Sequence, residues 1–255
     1  MTKRRKFLLT SIFLSLGFFG IQFLDSRFRM IGIFVLASFA IPLFSWSLSE
    51  GLGWNMTLLT LVLPVFFTVG VGIFWFLLPA NIYARLPIVL FYAFGIYALA
   101  STMNVFTVGA IRTIALLRAA RGVGFVLTLA TSFLIFNAII SLKIPFWGTG
   151  LTIGLLAFPL FLQGFWSVSL EKKYAAKLLT LALSVSLMVG ELALALSFWP
   201  VTLVVGSLFL TVAVYVLLGL GQTYLEQRLF AQTVKEYLTV GILVFLGMFF
   251  ATHWA

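Results

Sequence analysis

The stretch TLLTLVLPVFFTVG at positions 57–70 returns 120 residues later as KLLTLALSVSLMVG at positions 177–190. The two stretches agree at eight of their fourteen positions, and both end on a Val-Gly pair, Val69-Gly70 and Val189-Gly190. Unrelated apolar segments agree at far fewer positions, even when both are rich in leucine. The pair therefore predicts that the chain contains its own first half twice.

The composition indicates that the duplicated unit lies in a membrane. Hydrophobic residues make up 63% of the chain and charged residues 9%, whereas a soluble domain carries about 25% charged residues. Repeated apolar runs of about twenty residues are typical of transmembrane helices. We therefore predict an all-α integral membrane protein with about nine transmembrane helices and no separate soluble domain. The predicted helices cover roughly 7–23, 30–48, 56–78, 88–109, 123–141, 146–169, 178–198, 201–220 and 238–254.

Weaker matches follow the same order along the chain. Tyr97 pairs with Tyr215 at an offset of 118, and Gly124 pairs with Gly241 at an offset of 117. Each repeat has four helices, and because this number is even, both copies enter the membrane from the same side. They are therefore parallel repeats related by an axis along the membrane normal. The alternative is that leucine- and phenylalanine-rich helices resemble one another by composition. The predicted division is a first four-helix repeat with a connector at 1–122, a second at 123–237 and a terminal helix at 238–255.

The basic residues predict an orientation. With the N-terminus in the cytoplasm, twelve of the sixteen Lys and Arg residues lie inside, and only Arg27, Arg29, Arg85 and Lys143 lie outside. The net charge of +10 therefore reflects membrane topology, and we expect the lipid bilayer, not a nucleic acid, as the main partner.

Two segments between the predicted helices have an amphipathic pattern. Residues 110–122 carry Arg112, Arg118 and Arg121 on an apolar background, and residues 222–237 place apolar side chains along one side of a polar helix. One interpretation is a cytoplasmic surface that binds anionic lipid through the three arginines, or a partner protein. The alternative is a pair of interfacial connectors anchored by positive charge.

Glu191 is the main candidate site residue. It follows the Val-Gly pair of the second copy, where the first copy has Val71, and it is the only acid deep within an apolar segment. A charged side chain near the bilayer centre costs about 2.5–3.5 kcal/mol on insertion scales. We therefore expect Glu191 to point into the helix bundle and to bind a substrate or a proton. The alternative is a protonated carboxyl that donates a hydrogen bond between helices.

Three more polar residues are candidates for the same substrate or proton site. Ser184 lies seven residues before Glu191, on the same helical face. Asn137 and Gln163 lie within other predicted helices. For Asn137 and Gln163 the alternative is again hydrogen bonding between helices.

The sequence contains no motif of a known catalytic site. It lacks H-E-x-x-H, G-x-S-x-G and a phosphate-binding loop, and it has no cysteine and a single histidine, His253. The six acids do not recur at short spacing within one helix. We predict no catalytic residue, no metal and no cofactor, and an enzyme is the least favoured class of function.

The stretch ELALALSFWP at 191–200, followed by a short terminal helix, resembles uncharacterised polytopic membrane proteins of bacteria. The resemblance covers mainly the second half of the chain and implies no activity. The resemblance implies a bacterial inner membrane as the location, and the distribution of Lys and Arg predicts that the N-terminus lies in the cytoplasm.

Two functions remain in competition. The repeats and the membrane acid favour a permease or transporter-like protein, and the scarcity of polar residues favours an apolar or lipid-like substrate. The absence of motifs and soluble domains favours a non-catalytic scaffold or subunit of an envelope complex.

Overall fold

A computed structural model of the chain describes residues 2–49, 54–78, 82–111, 115–170 and 176–252. Nine α-helices and no strands are found in these ranges. The helices are α1 (Lys3–Ile21), α2 (Ser26–Ser47), α3 (Trp54–Phe76), α4 (Ile82–Gly109), α5 (Leu117–Ser141), α6 (Phe146–Ser169), α7 (Ala176–Leu196), α8 (Leu203–Leu225) and α9 (Ala231–Ala251). The predicted all-α class and the count of nine helices are confirmed for this part of the chain.

Eight of these helices, α2 to α9, are long and apolar enough to cross a membrane. The chain is therefore a polytopic membrane protein. Helix α1 is not among the eight because its first turn carries Lys3, Arg4, Arg5 and Lys6, which leaves too short an apolar run in a helix of 19 residues.

Several helices extend further than their apolar cores predict. Helix α5 begins at Leu117, α8 continues to Leu225, and α9 begins at Ala231. The amphipathic connectors are therefore not separate helices in the described residues: 117–122 is the start of α5, and 222–237 is divided between α8 and α9. A turn at 226–230, with Gln227 at φ 57°, separates these two helices. The reason is that a helix continues through the interfacial layers, which add about 10–15 Å to the hydrocarbon thickness.

The chain forms two compact units, Met1–Thr131 and Ser132–Ala255, and the boundary falls inside α5. The division into repeats at residues 122 and 237 is a statement about ancestry and stays a prediction.

In the first unit, α1 packs on α2 and α4, and α3 packs on the same two helices, so that four helices close a ring. Aromatic side chains fill its core. The ring of Phe18 lies 4.9 Å from that of Trp75 and 4.8 Å from that of Tyr92, measured between centroids. The Tyr92 hydroxyl lies 3.0 Å from the Thr68 hydroxyl, which itself donates to the Pro64 carbonyl at 2.8 Å. The buried phenol is thus satisfied within the ring, as a polar group in an apolar core requires.

In the second unit, the closest helix pair is α6 with α7. A Cβ atom at Gly150 would lie 2.9 Å from the Gly190 carbonyl oxygen, and one at Gly190 would lie 2.9 Å from the Gly150 oxygen and 3.3 Å from the Gly154 Cα. The Gly150-x-x-x-Gly154 motif therefore lets two backbones touch, as small residues do between membrane helices. Helix α8 packs on both α6 and α7, and α9 packs on α8.

Candidate functional site

An apolar groove of about 640 Å³ lies between α7 and α9, with α8 beneath it. We call it the α7–α9 groove. The α7 wall consists of Met188, Glu191, Leu192 and Ala195, and the α9 wall of Leu238, Gly241, Ile242 and Phe245. The base is formed by Phe209, Val212, Ala213, Val216 and Leu217 of α8. Among the described residues that line the groove, Glu191 is the only charged one.

Glu191 is exposed and does not point into the bundle, so that part of the sequence prediction is wrong. The physical reason lies in its neighbour. Gly190 faces α6, where two backbones touch, and the next residue on a helix is rotated by about 100°. Glu191 therefore turns away from α6 and into the α7–α9 groove. A carboxyl that lies in a groove does not need a partner inside the bundle, because the molecule that occupies the groove is able to compensate it.

Ser184 lies on the same exposed side of α7 but is not among the described residues that line the groove. Its hydroxyl donates to the Thr180 carbonyl one turn earlier, at 2.9 Å. Seven residues of helix place it about 10 Å from Glu191 along the axis. That Ser184 belongs to a substrate or proton site stays a prediction.

Asn137 is buried and joins α5 to α8. Its side-chain amide donates to the Ser207 hydroxyl at 3.0 Å, and that hydroxyl donates to the Leu203 carbonyl at 2.7 Å. The arrangement is a chain of hydrogen bonds between two helices, which is the alternative that the sequence left open. Asn137 does not line the α7–α9 groove.

Gln163 is buried within α6, and its carbonyl oxygen Oε1 has no hydrogen-bond partner. The next residue, Gly164, accepts a hydrogen bond at 3.0 Å from the Gln222 side chain of α8. Gln163, like Asn137, lies apart from Glu191. The structure therefore does not bring the four predicted residues together.

The sequence reasoning missed the residues that hold α9 against α8. The ring of Tyr237 fills the space beside Gly219, and a Cβ atom at Gly241 would lie 3.4 Å from the Val216 side chain. Near the other end of α9, the indole of Trp199 donates to the Thr252 hydroxyl at 2.9 Å. The signal available in the sequence was the pair of glycines, one on each helix, but a lone glycine in an apolar helix does not reveal its partner.

Two of the three arginines that were predicted to bind anionic lipid lie within the described residues. Arg118 is exposed and Arg121 is half-buried, both near the start of α5, and Arg112 lies outside the described residues. Arg121 already makes an interaction within the protein. Within the described residues, no three His, Asp or Glu side chains come together in a way that could hold a metal ion.

Comparison with known proteins gives one match. A family model described as "Protein of unknown function (DUF5656)" matches residues 11–251, which is nearly the whole chain and includes the α7–α9 groove. Neither a curated protein nor a solved structure matches. The chain therefore belongs to the DUF5656 family of uncharacterised proteins.

Proposed function

We propose that this polytopic membrane protein is a permease or transporter-like protein for an apolar or lipid-like substrate, and that the substrate binds in the α7–α9 groove. The observation that carries the proposal is the lone carboxyl of Glu191 in a groove whose other described lining residues are apolar. Pockets of this size, lined by apolar side chains with one convergent polar group, are typical of sites for small ligands.

The lining defines the chemistry of the substrate. Side chains such as Phe209, Val216 and Phe245 offer an apolar surface to an acyl or isoprenoid chain. Glu191 offers a hydrogen-bond acceptor when ionised and a donor when protonated. A substrate with a long apolar part and one amine or hydroxyl group satisfies both. Such a group would offset the cost of about 2.5–3.5 kcal/mol that a carboxylate pays near the bilayer centre.

The internal repeat supports this proposal. Adding the offset of 120 to the bounds of α3 gives 174–196, against Ala176–Leu196 for α7, and adding 118 to those of α4 gives 200–227, against Leu203–Leu225 for α8. Many transporters consist of such repeats. On this interpretation the second copy acquired Glu191 at the position where the first kept Val71, and Val71 is buried.

We also propose that the N-terminus lies in the cytoplasm and that the chain lies in a bacterial inner membrane. We propose that Arg112, Arg118 and Arg121 bind anionic lipid.

A scaffold or subunit of an envelope complex is the second candidate. The observation that favours it is the exposure of α9, in which Phe250, Leu243 and Ile242 are 80%, 61% and 58% exposed. A helix that contacts mainly one neighbour leaves an apolar surface that another protein, as well as lipid, is able to cover.

Movement of labelled lipid in vesicles distinguishes the two functions. The purified protein is reconstituted with lipids that carry a fluorescent label on the headgroup, and dithionite is added outside. In vesicles without protein, only the outer leaflet is bleached. A permease for lipid-like molecules also exposes the inner leaflet, so bleaching approaches completion. We expect Glu191→Gln, which keeps the size of the side chain but removes the carboxyl, to slow this movement about tenfold or more.

The matched control is Glu236→Gln, the same substitution at an exposed carboxyl of α9 that does not line the groove, and it should leave the rate unchanged. If vesicles containing folded wild-type protein bleach like empty ones with amine, hydroxyl and choline headgroups alike, the proposal of lipid transport is wrong and the scaffold is favoured. In that case Glu191→Leu should bind partner subunits as the wild type does.

A further inference from the structure

We propose that a second pocket in the same unit, distinct from the α7–α9 groove, binds an oxyanion of the phosphate class. The pocket has a volume of about 200 Å³ and lies between the turn that joins α5 to α6 and the turn that joins α7 to α8. We call it the turn pocket. Its polar lining residues are Lys143, Thr149, Ser197, Trp199 and Thr202.

The charge of the turn pocket is positive. Lys143 is its only charged lining residue among those that the structure describes, and no acidic side chain lines it. Lys143 occupies the left-handed region, with φ 49°, and its backbone N–H donates to the Ile140 carbonyl at 3.2 Å. A non-glycine residue is uncommon there and marks a tightly determined turn. The turn holds a basic side chain at the edge of a cavity that has no acidic side chain among its described lining residues.

Two of the three hydroxyl groups that line the turn pocket are weakly engaged, whereas the third, on Ser197, donates to the Ala193 carbonyl at 3.0 Å. The Thr149 hydroxyl lies 3.3 Å from the Ile144 carbonyl and 3.4 Å from the Pro145 carbonyl, and the Thr202 hydroxyl accepts from the Val205 N–H at 3.4 Å. These distances are at the long limit for hydrogen bonds, so rotating a hydroxyl toward a ligand loses little. An oxyanion accepts from several donors at once, and hydrogen bonds to a charged acceptor are about twice as strong as neutral ones.

Phosphate chemistry has two sources at a membrane surface, a free phosphate ion and the phosphate of a lipid headgroup. Lys143 and the two turns lie at the ends of membrane helices, where headgroups are found, and Trp199 is of the residue type enriched at that level. The pocket volume of about 200 Å³ accommodates a phosphate group but not an acyl chain. Either source meets the same ammonium and hydroxyl donors.

The test is thermal unfolding of the full chain in nanodiscs. In the first arm, the discs contain only a galactolipid, which has no phosphate group, and inorganic phosphate is added. In the second arm, no phosphate is added and part of the galactolipid is replaced by phosphatidylglycerol. The variants are Lys143→Met and Thr149→Val, and the matched control is Lys235→Met, which removes an exposed positive charge from α9 of the same unit.

We expect phosphate or phosphatidylglycerol to raise the unfolding temperature of the wild type and of Lys235→Met alike. Lys143→Met should weaken the apparent affinity about tenfold or more, since it removes the only charge among the described lining residues, and Thr149→Val should weaken it less. Stabilisation in the first arm identifies free phosphate as a ligand, and stabilisation in the second arm alone identifies the headgroup. If neither arm stabilises the wild type, or if Lys143→Met responds as Lys235→Met does, the turn pocket is not an oxyanion site. Lipid movement through the α7–α9 groove is independent of this outcome.

Discussion

Replacing Gly190 by alanine should separate α6 from α7. The added Cβ would lie 2.9 Å from the Gly150 carbonyl oxygen and 3.3 Å from the Gly154 Cα, and both are backbone atoms that cannot rotate away. Ordinary contact begins at about 3.4 Å, so the two helices must move apart by roughly half an ångström. Overpacking of this kind costs about 1–3 kcal/mol, and alanine regains up to about 1 kcal/mol of helix propensity. We therefore expect a net loss of up to about 2 kcal/mol in the free energy of unfolding.

A series of glycine variants turns this estimate into a graded test. Gly150→Ala meets the Gly190 oxygen at 2.9 Å and should be as damaging, whereas Gly154→Ala meets the Ser186 oxygen at 3.3 Å and should cost less. Gly247 has open space where its Cβ would lie, so Gly247→Ala should be neutral or stabilising. Reversible unfolding of the detergent-solubilised protein measures these differences. If Gly190→Ala and Gly247→Ala unfold alike, the close backbone contact does not stabilise the second unit.

Three further predictions follow from the packing and the topology. Asn137→Ala and Ser207→Ala should each destabilise the protein by about 0.5–2 kcal/mol, and a double-mutant cycle should show them coupled, because they share one hydrogen bond. Additive effects would contradict that bond. Gly219→Ala should push the Tyr237 ring away and loosen α9, so that proteases cut the 226–230 turn more readily. Adding Tyr237→Leu to that variant should remove the clash and restore resistance to proteases. If the double variant is cut as readily as Gly219→Ala, the Tyr237 ring does not lie beside Gly219. A cysteine introduced at Ala110 should react with membrane-impermeant reagents only from the cytoplasmic side, and labelling from outside would overturn the orientation.

The sequence predicted which segments form helices better than where those helices end. The bounds of α6 were predicted correctly at 146–169 because Pro145 precedes its first residue and Glu171 closely follows its last. The start of α9 was predicted seven residues too late, because Lys235 and Glu236 interrupt the apolar run. Polar residues do not end a helix at a membrane surface, where the chain passes into the headgroup layer.

The direction in which Glu191 points could not be predicted from the sequence. In a soluble helix, the apolar face identifies the core. In α7, exposed leucines such as Leu183 and Leu187 are as apolar as the buried Leu178, because the outer surface lies against lipid. Periodicity therefore does not distinguish inside from outside in this helix. The α7–α9 groove escaped prediction for the same reason, since it depends on which faces of three apolar helices meet.

The attachment of α9 has a consequence for how the protein is made. Helix α9 follows α7 and α8 in the chain and packs mainly on α8, through contacts such as Tyr237 against Gly219. During synthesis, α7 and α8 reach the bilayer before α9 does, and at that stage Glu191 lies beside lipid without the second wall of its groove. The α7–α9 groove thus closes only when α9 has docked, and the substrate site that we propose there forms at that step.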